Sequence, residues 1–177
     1  NGKRDRVQQE LIAKVNPENK QCTFDDAVKG ADVLIGCSAP GVFNVEAIKT
    51  MNDKSIVFAM ANPVPEIMYE EAKEKGVYIY GSGRSDMPNQ VNNSSVFPGL
   101  FRGALDVRAR QINEEMKLAA AHALADLAIH SGKLDPDHVV VDVFDPQVPF
   151  AVAKAVAKAA IASGVARATA LPEKYRD

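Results

Sequence analysis

The chain has 177 residues, 46% hydrophobic and 25% charged, a globular composition that excludes a disordered chain and predicts one domain with a sizeable core. Lys plus Arg number 21 and Asp plus Glu 23, a net charge of −2, which speaks against a nucleic-acid partner because such proteins present a basic face. No apolar run approaches the roughly 20 residues of a membrane helix, and no basic-then-apolar start marks a secretory signal. A cytoplasmic location with no membrane partner is expected. Cys22 and Cys37 are too few for a disulfide framework and are not spaced as a metal-binding pair. They read as small buried or half-buried thiols in a reducing compartment.

From about Arg4 to Val15, Val7, Leu11 and Val15 recur at helical spacing. Asn16-Pro17 ends that helix, because a residue before proline avoids the helical region. Thr23 is a fitting N-cap for a short helix over 24–29, closed by Gly30. Val33-Leu34-Ile35, Ser55 to Met60 and Val77 to Tyr80 are apolar runs, each read as a strand. Helices over 44–51 and 66–75 separate them. Near-continuous apolar strands alternating with helices over short connections predict a parallel sheet covered on both faces.

A polar loop runs from Gly81 to Phe97, and after Pro98 the chain turns helical. Met116, Ala119, Ala120, Ala123, Leu124 and Leu127 form one stripe and predict a second helix, stopped by Gly132. Val139-Val140-Val141 fits a short strand, yet Pro136, Pro146 and Pro149 hem it in, so that stretch stays open. Helix resumes from Phe150 to about Ala162, with Val152, Val156 and Ala159 inward. Its alanine-rich face suits close helix packing in a core.

Three parallel strands make half of a doubly wound sheet, whose other half carries the glycine phosphate fingerprint. No GxGxxG occurs; Gly81-Ser82-Gly83 comes nearest, but Asp86 stands where the third glycine belongs. The first helix follows no strand. The chain is therefore expected to be a piece of a larger protein. The edge at 33–35 is expected to be covered by something outside this sequence or by a second copy.

Ligands of open parallel sheets bind beyond the carboxyl ends of the strands. Three loops stand there. Gly36-Cys37-Ser38-Ala39-Pro40-Gly41 is small enough for a ligand to approach the backbone, or is a plain turn. In Ala61-Asn62-Pro63-Val64-Pro65-Glu66, prolines hold Asn62 at a strand tip, either for a ligand or for a local turn. Glu66 reads as support for the next helix start. The third loop packs Asn89, Gln90, Asn92 and Asn93, four side-chain amides within five residues. Arg84 either grips a carboxylate or pairs with Asp86, and the pairing is preferred. Acid–base chemistry is scarce. His122, His130 and His138 lie off the strand tips, Lys73 and Lys75 read as solvated, and Asp25-Asp26 and Glu114-Glu115 sit at helix starts where negative charge is favourable. The segment binds and orients, and proton transfer comes from elsewhere.

The stretches ADVLIGCSAPGVF, IVFAMANPVPEI, GSGRSDMPNQVNNSSVFPGLFRGALDVRA and INEEMKLAAAHALADLA carry a family resemblance. From about Thr23 to Arg167 the chain resembles the C-terminal part of the NAD-binding domain of malic enzyme, with closer likeness to the bacterial-type members. That resemblance implies the second half of a Rossmann-like α/β sheet (about 1–97) with added helices (about 98–170). It implies oxidative decarboxylation of malate to pyruvate and CO2 with NAD or NADP and a divalent Mg or Mn ion, and a homodimer. It assigns the cofactor to Gly36, Cys37, Ser38, Ala39, Asn62 and Asn92, and the substrate to Asn62, Asn92 and Asn93. The family's catalytic Tyr and Lys, its metal ligands and its first glycine fingerprint belong to an upstream part not present in these residues. No catalytic or metal residue is therefore expected here, and the isolated chain is expected to be inactive. The competing expectations are a non-catalytic nucleotide-binding or assembly module and a different hydroxy-acid dehydrogenase.

Overall fold

The computed structural model describes residues 6–16, 18 and 20–176. Strands β1 (Val33–Gly36), β2 (Ile56–Ala59) and β3 (Ile79–Ser82) form a parallel sheet in the order β1-β2-β3. The register sets Leu34 beside Val57 and Val57 beside Tyr80, and sets Gly36, Ala59 and Ser82 level at the carboxyl edge. Parallel neighbours demand crossovers. These contain α3 (Val45–Ile48) between β1 and β2, and α4 (Tyr69–Glu74) between β2 and β3. Upstream lie α1 (Arg6–Val15) and α2 (Phe24–Val28).

Side chains alternate along a strand, and the two sheet faces differ. Leu34, Val57 and Tyr80 pack with Phe43, Ile48, Ile67 and Ala72 into one core. On the opposite face Val33 is 49% and Ile35 62% exposed. The expected cover on the second face is thus missing over β1, an edge strand, whereas Ile56, Phe58 and Ile79 on that face are half-buried. The stripe predicted on α1 also differs, since Leu11 and Val15 are exposed. Arg4 and Pro17, which figured in that prediction, lie outside the described residues, and so does the side chain of Val7.

A second core joins α5 (Phe97–Asp106), α6 (Glu114–His130) and α7 (Gln147–Ala162). It contains Leu100, Met116, Ala120, Val152, Ala153, Val156, Ala157 and Ala160, so the inward stripes predicted for α6 and α7 are observed. The chain end returns to this core. Asp106 pairs with Arg102 and with Lys174 at 2.6 Å, and accepts from the Tyr175 hydroxyl at 2.7 Å.

Several boundaries moved for physical reasons. Helix α7 starts at Gln147 rather than Phe150, because Pro149 falls in the first turn, where no N–H is required. The 139–141 stretch is not a strand. Val139 and Val140 instead donate their N–H groups to the Asn89 side-chain oxygen at 2.7 and 3.3 Å. Strand β3 begins two residues late, at Ile79, because the Val77 N–H is committed to the Ala72 carbonyl at the end of α4. Lys73 and Lys75 are partnered rather than solvated. Lys73 meets Asp137 at 3.0 Å, and Lys75 meets Glu46 at 2.8 Å. Both cysteines are free and exposed, not buried.

Candidate functional site

The level strand ends bring the three loops to one edge of the sheet. Directly after β1, Gly36 is buried while Cys37, Ser38 and Ala39 are exposed. Asn62 stands three residues beyond β2, exposed, with a cis peptide bond to Pro63. The amide-rich loop is drawn back to β3, where Val91 donates to the Ser82 carbonyl at 2.7 Å and Gln90 bridges to Ser82. Asn92 and Asn93 follow at once and are exposed. Asn92 caps the 3-10 turn Asn93–Ser95 by accepting from the Ser94 N–H at 2.9 Å. Its carboxamide nitrogen stays open. The side chains of Asn62 and Asn93 make no hydrogen bond to any described residue.

Other predicted residues are structural. Arg84 forks onto Asp86 at 2.8 and 2.6 Å, as preferred from sequence, and so closes its own loop. His130 lies on the last turn of α6, with Nδ1 at 2.7 Å from the Asp126 carbonyl, and His138 sits 2.9 Å from Asp135. His122 is exposed on α6. None of the three stands at a strand tip.

Two residues do more than their sequence positions suggest. Glu66 is not a helix cap: α4 starts at Tyr69, and Glu71 accepts from the Met68 N–H at 3.2 Å. Glu66 is 0% exposed. Its carboxylate accepts from the Ser38 N–H at 2.7 Å, the Ser38 hydroxyl at 3.1 Å and the Ala61 N–H at 2.9 Å. Burial pushes its carboxyl upward, but these donors outweigh burial and hold it below the usual carboxylate range. The only sequence signal is a carboxylate between Pro65 and Ile67, flanked by nonpolar residues. Asn89 is also buried, with a left-handed φ of 53°. Its amide nitrogen donates to the Tyr80 and Pro136 carbonyls, both at 2.8 Å. One of the four clustered amides is therefore a brace between β3 and the 136–140 loop.

What remains at the edge is chemically coherent. Asn62, Asn92 and Asn93 offer donors and acceptors that do not titrate. The small, exposed residues after Gly36 let a ligand lie close to the loop, with the Ser38 N–H already committed to Glu66. Among the described residues, no three His, Cys, Asp or Glu side chains come together as a metal-binding group.

The family model for the malic enzyme NAD-binding domain matches residues 6–161. This chain belongs to the malic enzyme NAD-binding-domain family. It is 51% identical to the bifunctional malic/malolactic enzyme of Bacillus subtilis (strain 168), over 100% of this chain and 43% of that relative. It is 50% identical to the NAD-dependent malic enzyme of Geobacillus stearothermophilus, over 93% of this chain and 34% of that relative. The chain thus spans well under half the length of these relatives. Among solved structures it resembles Entamoeba histolytica malic enzyme, with a TM-score of 0.85, 48% identity, and cover of 90% of this chain and 33% of that one. Pyrococcus horikoshii malic enzyme gives a TM-score of 0.83 at 45% identity, with cover of 92% and 37%. These likenesses bear out the Rossmann-type α/β reading.

Proposed function

We propose that these residues form the second half of the dinucleotide-binding domain of an NAD- or NADP-dependent malic enzyme, and that the parent protein converts malate to pyruvate and CO2. Residues 1–97 supply the sheet, and residues 98–170 the helical support. The observation that carries this reading is the gathering of uncharged carboxamides at the carboxyl edge of a parallel sheet, in a chain of this family.

The division of labour is the one the family resemblance implies. Gly36, Cys37, Ser38 and Ala39 border the cofactor with their main chain. Asn62 lies between cofactor and substrate, and of Asn92 and Asn93 one faces substrate and the other lies near the nicotinamide ribose. A carboxamide hydrogen-bonds a carboxylate without neutralising it, so these groups orient substrate without moving its proton. The dinucleotide, when bound, accepts a hydride. The upstream part supplies the proton-transfer groups and the ligands of a Mg or Mn ion. Among the described residues no three His, Cys, Asp or Glu side chains gather into a group for that ion. The exposed Val33 and Ile35 support a sheet face covered by that upstream part. Two free thiols are in keeping with a reducing, cytoplasmic compartment, and the homodimer is proposed from the family resemblance.

The test is malate-dependent NAD(P)H formation by the parent protein with Mn. Asn62→Ala and Asn93→Ala are each expected to lower kcat/KM for malate by about 5–150-fold, the equivalent of about 1–3 kcal/mol. Unchanged kinetics in both variants would favour a non-catalytic module. Preference for another 2-hydroxy acid would favour a different dehydrogenase. Turnover by the isolated 177 residues would overturn the division of labour.

A further inference from the structure

We propose that Glu66 is a positioning residue that locks the cofactor-side loop and the substrate-side loop into one geometry, making the two ligand sites move as a unit. The proposal rests on the reading above, in which residues 36–39 border the dinucleotide and Asn62 lies between dinucleotide and substrate. Glu66 touches neither ligand in that reading. Its carboxylate lies behind the site and holds both loops from the protein side.

The geometry is a two-armed clamp. Oε1 accepts from the Ser38 N–H and hydroxyl, in the loop that leaves β1. Oε2 accepts from the Ala61 N–H, one residue before Asn62, in the loop that leaves β2. These loops belong to different strands, so without a cross-tie each could shift alone. Main-chain bonds hold the clamp's own base: Gly41 donates to the Pro65 carbonyl at 3.3 Å and Phe43 to the Glu66 carbonyl at 3.4 Å. No cation competes for either oxygen in these contacts. The carboxylate is held by main-chain N–H groups and one hydroxyl, a buried charge matched to fixed donors.

Two further observations fit a demand for a carboxylate at this place. Both fixed arms are N–H donors, so the bridging group must accept at both ends. A carboxylate does so, whereas an amide of the same size would turn its own NH2 against one arm. Gly36 is also explained. A Cβ there would lie 2.7 Å from the Glu66 Cδ, 2.8 Å from Oε1 and 2.5 Å from the Phe43 ring. The glycine at the tip of β1 therefore makes room for this carboxylate, a tertiary requirement in addition to any ligand approach.

The experiment uses the full-length parent with Glu66→Gln, which keeps the volume and breaks one arm, and Glu66→Asp, which keeps the charge and shortens the reach. Dinucleotide affinity is measured by NADH and NADPH fluorescence titration, and malate kinetics are measured alongside. Glu66→Gln is expected to weaken dinucleotide binding and lower kcat/KM for malate together, each by about tenfold or more, since small misplacements of binding groups are costly. In a cycle with Asn62→Ala, the two losses are expected to be clearly less than additive, because Glu66 acts through that loop. A variant that only melts earlier, with affinity and kinetics within about twofold of the parent, would overturn the proposal, as would an additive cycle. If Glu66→Gln does not fold, Glu66→Asp carries the same comparisons. If the parent binds dinucleotide but does not oxidise malate, the enzyme reading fails. The dinucleotide titration of the variant, together with its cycle against Asn62→Ala in that same titration, then still decides the role of Glu66.

Discussion

Asn89 and Asn62 are the same residue type in the same sheet-edge region, with opposite consequences expected on substitution. Asn89 serves four main-chain groups from a buried position. Asn89→Ala leaves two carbonyls and two N–H groups short of a partner, so it is expected to cost at least about 2 kcal/mol of stability. Urea denaturation of the variant checks this. Asn62 is exposed and serves no described group. Asn62→Ala is expected to change stability by no more than about 0.5 kcal/mol while lowering malate turnover in the parent. A pair of melts and a pair of rate measurements separate the two roles. The cluster of four amides was legible in the sequence, but which of them turns inward was not. That depends on the left-handed backbone at Asn89 and on carbonyls that reach it from as far as Pro136.

Helix α5 meets α7 through glycines. Gly99 and Gly103 lie one turn apart, and a Cβ on Gly103 would fall 2.4 Å from the Ala153 carbonyl oxygen. That oxygen is main chain and cannot swing away. In an isolated helix, glycine to alanine gains about 1 kcal/mol. Here the clash outweighs the gain, and Gly103→Ala is expected to destabilise the protein by about 1–3 kcal/mol. Chemical denaturation shows the sign directly: a stabilised variant would mean that the helices part without cost. The alanine-rich face of α7 was readable as a close-packing surface, and Ala153, Ala157 and Ala160 are indeed buried. Its partner was not readable, because helical periodicity names a buried face but not what covers it.

The molecule holds two cores, and the segment at Lys174 and Tyr175 is fastened to the second by charge. Burial raises the Asp106 carboxyl, but bonds from Arg102, Lys174 and the Tyr175 hydroxyl outweigh that and hold it at about 2, against an ordinary 3.8. Burial and the neighbouring Asp106 push the Tyr175 phenol the other way, upward. A carboxyl depressed on folding contributes stability above its unfolded value and loses it as pH falls through the folded value. The fastening is therefore expected to be complete above about pH 4 and to fade toward pH 2. Asp106→Asn is expected to lower Tm at pH 7 and to flatten the decline of Tm between those two pH values. Melting curves across that range check it, and an unchanged slope would remove Asp106 from the account. Glu46 is also held at about 2, by Lys49 and Lys75. It is a surface group, so its part in the acid response is expected to fade with added salt.

Sequence alone settled what is local. Apolar runs, helix spacing, the Thr23 N-cap and the glycine stops depend on residues a few positions apart. They yielded three parallel strands, the helical second part and the loops at the strand tips. Motif spacing within those loops carried the family. Only the tertiary structure decided the inner wiring of the site: that Glu66 faces inward to Ser38 rather than along a helix, that Asn89 replaces a strand for Val139 and Val140, and that Gly36 and Gly103 yield space to groups from elsewhere in the chain. Such contacts join residues tens of positions apart. Which donor meets which acceptor is set when the elements close on one another, and no local pattern encodes that distance.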